Sequence, residues 1–380
     1  MLRFASPNHS KIQLPGPIRL KFPFTWPLRT TFARLPLRLP FMNSSQSRPT
    51  GASTVLTIHL LASVWCVLAG LGAYARTVAD TAIMFKPAPA NFDGALFSIR
   101  VNDLELEGVF LGDRQMKRPL ILFIPGSGPL PLFTSFGDTA YYPLFPHQLL
   151  DNGTAFNFIF LSKPGIPALC KKEQLSDNYY FLDTVTGMPP SEYLHLNTLE
   201  FCRSAYSTLL DHIGEVCAST MVIAMGHSQG ARVVAELATH SKIDKLVYMS
   251  ADPLGRMAAL YDGEYAKFRH RDPEKLSFLH DLLNPAFADS TYMGERYESF
   301  RSFAKPSRIP LSKATAPTLL VYGDMDPSCP NCYVLSLLPE WLPQMKALRY
   351  PGYDHNYFDP EGTNHWGEVV ADVFRWILGN

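Results

Sequence analysis

The pentapeptide Gly226-His227-Ser228-Gln229-Gly230 constrains this chain more than any other stretch. It follows the apolar, β-prone run Met221-Val222-Ile223-Ala224-Met225 and precedes Ala231-Arg232-Val233-Val234-Ala235-Glu236-Leu237-Ala238, which holds neither Pro nor Gly. These runs predict a strand and a helix with almost no chain between them. A turn that tight carries its central serine at the apex, in strained backbone, with the hydroxyl clear of the sheet. The glycines answer a steric need, because a larger side chain at Gly226 or Gly230 would hold the strand and the helix apart. Gly-x-Ser-x-Gly in this setting predicts a nucleophilic Ser228.

A serine hydroxyl is a poor nucleophile at neutral pH, so this reading requires a histidine base and a carboxylate to orient it. Both are expected downstream, in the order Ser, acid, His. The β-type run Ala316-Pro317-Thr318-Leu319-Leu320-Val321-Tyr322 breaks into the turn-rich Gly323-Asp324-Met325-Asp326-Pro327-Ser328. A helix is predicted from Tyr333 to Trp341, then a short strand, Ala347-Leu348-Arg349-Tyr350. The loop that follows, Pro351-Gly352-Tyr353-Asp354-His355-Asn356, places His355 at a strand end.

With these elements in this order, the chain from about Phe97 to the C-terminus resembles the α/β-hydrolase superfamily, in its serine esterase-like members. The resemblance implies a mostly parallel central sheet flanked by helices, with a cap or lid inserted between later strands. It selects Asp326, through the Gly-x-x-Asp loop form, as the orienting acid and His355 as the base. Asp324 in the same loop and Asp252 in Met249-Ser250-Ala251-Asp252-Pro253 remain alternatives, each also readable as a turn aspartate bonded to backbone N–H groups. Asp354 is read as a loop residue, His365 as the lead into the last helix, and His227 as packing beside the nucleophile.

Acyl transfer also needs donors for the developing oxyanion. Gln229, after the nucleophile, supplies one backbone N–H. Ser127 is expected to supply the second, from Pro125-Gly126-Ser127-Gly128-Pro129 after the strand Leu120-Ile121-Leu122-Phe123-Ile124. That loop matches the family's oxyanion loop in placement but carries Pro125 where histidine is common. It lacks the lysine and spacing of a P-loop and the pattern of a dinucleotide fingerprint.

The N-terminal region differs from the rest in charge. Residues 1–50 hold eight Lys or Arg and no Asp or Glu, which leaves 26 basic against 34 acidic groups in the remainder. The apolar run from Leu60 to Leu71 ends in Ala73-Tyr74-Ala75, a small-x-small pattern that predicts an export signal cleaved after Ala75. Residues 1–50 are therefore read as a basic leader outside the mature protein and 51–75 as a signal peptide, with Met42 as a candidate translation start. An organelle transit sequence and an uncleaved membrane anchor over 55–75 are the alternatives. Export predicts a secreted or periplasmic protein.

Residues 76–380 read as one catalytic domain, with a lid insertion at about 253–311 rich in aromatic residues. Its five cysteines are Cys170, Cys202, Cys217, Cys329 and Cys332; the Cys-x-x-Cys pair at 329 and 332 is expected to form a short bridge steadying the acid loop. No His/Cys cluster has zinc spacing, so neither metal nor cofactor is expected. An acidic body argues against nucleic acid as a partner. The expected activity is hydrolysis of carboxylic esters on a small-molecule acyl substrate. Lipase, thioesterase, amidase, peptidase and acyltransferase activities share the same chemistry, and a catalytically silent binding scaffold is the reading from another class.

Overall fold

The structure, a computed structural model, describes residues 83–379 except 138, 152–154, 269–272, 293 and 339–343. The basic leader, the apolar segment at 55–75 and the site after Ala75 lie outside the described residues. Among the described residues, no helix is long and apolar enough to cross a membrane.

Nine strands form one sheet: β1 Met84–Lys86, β2 Ala95–Val101, β3 Leu104–Leu111, β4 Arg118–Ile124, β5 Asn157–Leu161, β6 Ser219–His227, β7 Lys245–Met249, β8 Thr318–Gly323 and β9 Met345–Tyr350. Their spatial order is β1-β2-β3-β5-β4-β6-β7-β8-β9. The first three strands pair antiparallel, and β3 pairs antiparallel with β5. From β5 to β9 every pairing is parallel. Crossovers between parallel strands place helices on both faces, so the central strands are apolar almost throughout. This is the α/β-hydrolase arrangement, with antiparallel strands opening a sheet that is otherwise parallel.

Alternation along the strands divides the core in two. Leu120, Leu122 and Ile124 of β4 face one cluster, which is completed by helix α1 (Leu199–Asp211) and helix α2 (Gln229–Glu236). Ile121 and Phe123 face the other, where helix α7 (Trp366–Leu378) packs. Helix α7 buries Trp366, Val369, Val370, Val373, Phe374 and Ile377, each such burial contributing roughly 1.5–3 kcal/mol relative to exposure. It begins where Asn364 Oδ1 accepts the Trp366 N–H at 2.9 Å and ends at Gly379 in the left-handed region.

Between β7 and β8 the chain leaves the sheet and forms helices α3 (Arg256–Phe268), α4 (Pro273–Leu283) and α5 (Tyr297–Ser302), with a two-residue hairpin, Thr291–Tyr292 against Glu295–Arg296. Both ends of this insertion are tied together at its base. The Arg256 N–H donates to the Phe303 carbonyl at 3.1 Å and the Arg308 N–H to the Pro253 carbonyl at 3.0 Å. After β8, helix α6 covers Cys332–Ser336 and stops at its C-cap Leu337, well short of the Trp341 expected from the sequence; residues 339–343 lie outside those described.

Candidate active site

The strand β6 runs straight into α2, and Ser228 stands between them with φ 57° and ψ −120°. A non-glycine residue there carries on the order of 1–3 kcal/mol of strain, sustained by surrounding structure. The Ser228 N–H donates to the Met249 carbonyl of the neighbouring strand at 2.9 Å. The close approach leaves no room for side chains at the flanking glycines. A Cβ on Gly226 would lie 2.4 Å from the Gly230 carbonyl oxygen, and one on Gly230 would lie 2.0 Å from the Ile124 carbonyl oxygen.

At the C-terminal edge of the sheet the structure brings Ser228, His355 and Asp326 together. His355 Nε2 lies 3.1 Å from Ser228 Oγ, and His355 Nδ1 lies 2.9 Å and 3.0 Å from the two Asp326 carboxylate oxygens. Asp326 also accepts the Ser328 N–H at 2.7 Å and the Cys329 thiol at 3.0 Å. Burial pushes the Asp326 carboxyl up, but the His355 hydrogen bond and charge, with the Cys329 and Ser328 donors, hold it below the usual range. The carboxylate therefore stays ionised beside the imidazole, which directs the Nδ1 proton toward it and leaves Nε2 to accept from Ser228.

The other carboxylates are engaged elsewhere. Asp324 accepts from the Arg349 guanidinium at 2.8 Å and the Gly352 N–H at 2.7 Å, pinning β9 and its loop. Asp252 is fully buried and accepts from the Leu254 N–H at 2.8 Å and Asn331 Nδ2 at 2.9 Å. Asp354 accepts the N–H groups of Asn356 and Phe358 within its own loop. His365 contacts Asp359 at 2.9 Å and stacks on Tyr353. His227 packs beside His355, with ring centroids 4.9 Å apart.

The oxyanion candidates sit on two separate segments. Gln229 opens α2, where the first N–H groups have no partner within the helix. The Ser127 loop leaves β4 next to Ser228: a Cβ on Gly126 would stand 3.4 Å from Ser228 Cβ. Sequence reasoning missed Lys163, whose Nζ donates to the carbonyls of Gly126 and Gly128 beneath this loop, at 2.5 Å each. Its only sequence signal is its place two residues past the end of β5, at the same sheet edge as Ser228.

The expected bridge at the acid loop is corrected by the structure. Cys329 and Cys332 are separate buried thiols. Each sulfur is aimed at an oxygen instead, Cys329 at Asp326 Oδ2 and Cys332 at the Ala251 carbonyl 3.2 Å away. Its neighbour Cys332, together with burial, pushes the Cys329 thiol far up, so it serves as a proton donor. The loop is steadied by hydrogen bonds where a covalent link was expected.

No protein-family description matches the chain, and no curated protein matches it in sequence. Similar solved structures include Est1E from Butyrivibrio proteoclasticus, at 17% identity and TM-score 0.47, covering 75% of this chain and 98% of that one. Acetyl xylan esterase 1 from Thermoanaerobacterium sp. JW/SL YS485 shares 13% identity at TM-score 0.45, with 79% of this chain and 90% of that one covered. Pyrococcus horikoshii acylaminoacyl peptidase shares 13% identity at TM-score 0.48 over 81% of this chain and 43% of that one.

Proposed function

We propose that the protein is a serine hydrolase that cleaves carboxylic esters through an acyl-enzyme. The observation that carries this reading is the continuous chain from Ser228 Oγ through the His355 imidazole to Asp326, with Ser228 on a strained turn. Ser228 Oγ attacks the acyl carbon as its proton passes to His355 Nε2, and Asp326 stabilises the imidazolium that forms. The tetrahedral oxyanion takes the N–H groups of Ser127 and Gln229, each such donor typically supplying on the order of 10²–10³ in turnover. Collapse delivers the proton from His355 to the departing alcohol. Water, deprotonated by the same imidazole, then releases the acid and restores Ser228.

The helical insertion between Met249 and Thr318 is read as the lid that shapes the acyl site. The basic leader and the alanine pattern at Ala73-Tyr74-Ala75 support export, for which N-terminal sequencing of the native protein, beginning at Arg76, is the check.

The enzymatic reading is tested with a fluorophosphonate serine probe and p-nitrophenyl esters of increasing acyl length, on the wild type and on Ser228→Ala. Labelling and turnover that vanish together in the variant are the expected result. A folded wild-type protein that neither labels nor turns over esters overturns the reading and leaves a binding scaffold.

A further inference from the structure

The Lys163 contacts bear on the chemistry because of peptide geometry. The Gly126 carbonyl and the Ser127 N–H belong to one planar trans peptide unit, so they point in opposite directions. A cation that draws the carbonyl toward itself turns the N–H the other way. The second bond, to the Gly128 carbonyl, anchors the loop on the far side of Ser127 as well. This short segment lies against the nucleophile, since a Cβ on Gly126 would also stand 3.7 Å from the His227 carbonyl oxygen. The Ser127 N–H itself takes no acceptor within the chain among the described residues.

Lys163 also lines a cavity beside Pro125 at the start of this loop, where it is the one cation among the described lining residues. Asn197 and Gln229 line it too, and their side-chain amides have buried atoms without a partner in the chain. Among the described residues, no other charged side chain is bonded to the Gly126 or Gly128 carbonyls.

We propose that Lys163 is the positioning residue of the oxyanion hole, its ammonium holding the Gly126 and Gly128 carbonyls so that the Ser127 N–H is presented to the oxygen of the attacked acyl group. This rests on the serine-hydrolase reading above. It makes Lys163 part of how turnover is achieved without giving it contact with the substrate.

The surroundings add a pH signature. Burial pushes the Lys163 ammonium down to about 8; the Glu295 carboxylate opposes this and Arg256 adds to it. Cys202 is pushed up to about 12 by burial and is a neutral thiol. Glu295 is held by Arg256 at 2.6 Å and by the Tyr193 hydroxyl at 3.4 Å. The charged clamp is thus present below about pH 8 and weakens as pH rises through that value, because a neutral amine donates weaker hydrogen bonds.

The test is steady-state hydrolysis of p-nitrophenyl acetate and butyrate from pH 6 to 9.5 by the full-length wild type, Lys163→Met and Lys163→Arg. Lys163→Met is expected to lower kcat by about 10²-fold, the scale of one oxyanion donor, with KM within about twofold. Lys163→Arg, which keeps its charge, is expected to recover most of kcat at pH 7 and to lose the fall near pH 8. Wild-type kcat in Lys163→Met, or an unchanged alkaline fall in Lys163→Arg, overturns the proposal. Where Lys163→Met does not fold, the Lys163→Arg profile alone decides. A wild type without ester turnover instead defeats the underlying reading, so the two failures are told apart.

Discussion

His227 donates its Nε2 proton to the main-chain carbonyl of His355 across 2.9 Å, so the residue before Ser228 braces the residue proposed to receive its proton. Burial, reinforced by the neighbouring His355, pushes the His227 imidazole down to about 3. The ring is therefore neutral through the working range and keeps the Nε2 proton that the carbonyl accepts. Trp366 closes over it with ring centroids 5.2 Å apart.

Replacing His227 by Phe keeps an aromatic ring and removes that donor. A net hydrogen bond contributes about 0.5–1.5 kcal/mol, so kcat is expected to fall by up to about tenfold as the His355 loop loosens. KM should stay within about twofold in ester kinetics. An unchanged kcat would show that the loop is held without His227.

The same imidazole makes stability depend on pH. The folded state refuses a proton that the unfolded chain accepts below the ordinary histidine value of 6.5. Stability from this group is therefore complete above 6.5 and is lost as pH falls toward about 3, at about 1.4 kcal/mol per pH unit. Asp326, depressed below 3.8, acts in the same direction at still lower pH. Urea unfolding at pH 7, 5 and 4 should show this slope in the wild type and a shallower one in His227→Phe. Parallel slopes would place the titration elsewhere.

Three aspartates compete by sequence, and their contacts predict three outcomes. Asp326→Asn should lower kcat by about 10⁴, because an amide favours the wrong imidazole tautomer, while the fold persists. Asp252→Asn should leave kcat within a few-fold but reduce the melting temperature, since its carboxylate ties Leu254 to Asn331. Asp324→Asn affects only the Arg349 and Gly352 contacts at the edge of the site. Kinetics paired with thermal melts on the three variants separate them; a 10⁴ loss in Asp252→Asn would reverse the assignment.

The elbow glycines predict a loss of fold. At Gly230→Ala the new methyl would fall 2.0 Å from the Ile124 carbonyl oxygen, on backbone that cannot move without opening the β4–β6 pairing. Overpacking of this kind costs about 3 kcal/mol or more. Denaturant unfolding should show that loss, or the variant should fail to accumulate as soluble protein. Wild-type stability would mean that the strand and helix have more freedom here than their contact allows.

The local half of the fold and of the site was legible in the amino-acid sequence. Apolar runs, glycine positions and turn residues are short-range signals, and they located β4, β6, β8 and β9, the Ser228 turn, the Gln229 helix start and the loops of Asp326 and His355. The choice among acids was not local. Asp324 and Asp326 share one loop, and only the packed chain shows Asp324 turned to Arg349 and Asp326 to His355. The Cys329 and Cys332 spacing suits a bridge in sequence, yet the nearby Asp326 carboxylate and Ala251 carbonyl give each thiol an acceptor. Lys163 belongs to no motif, and its place just past β5 does not reveal its role, because the carbonyls it holds lie 37 and 35 residues away in sequence. Tertiary structure decided these points for one physical reason: hydrogen-bond partners are chosen by distance in space, and only folding brings these groups within reach.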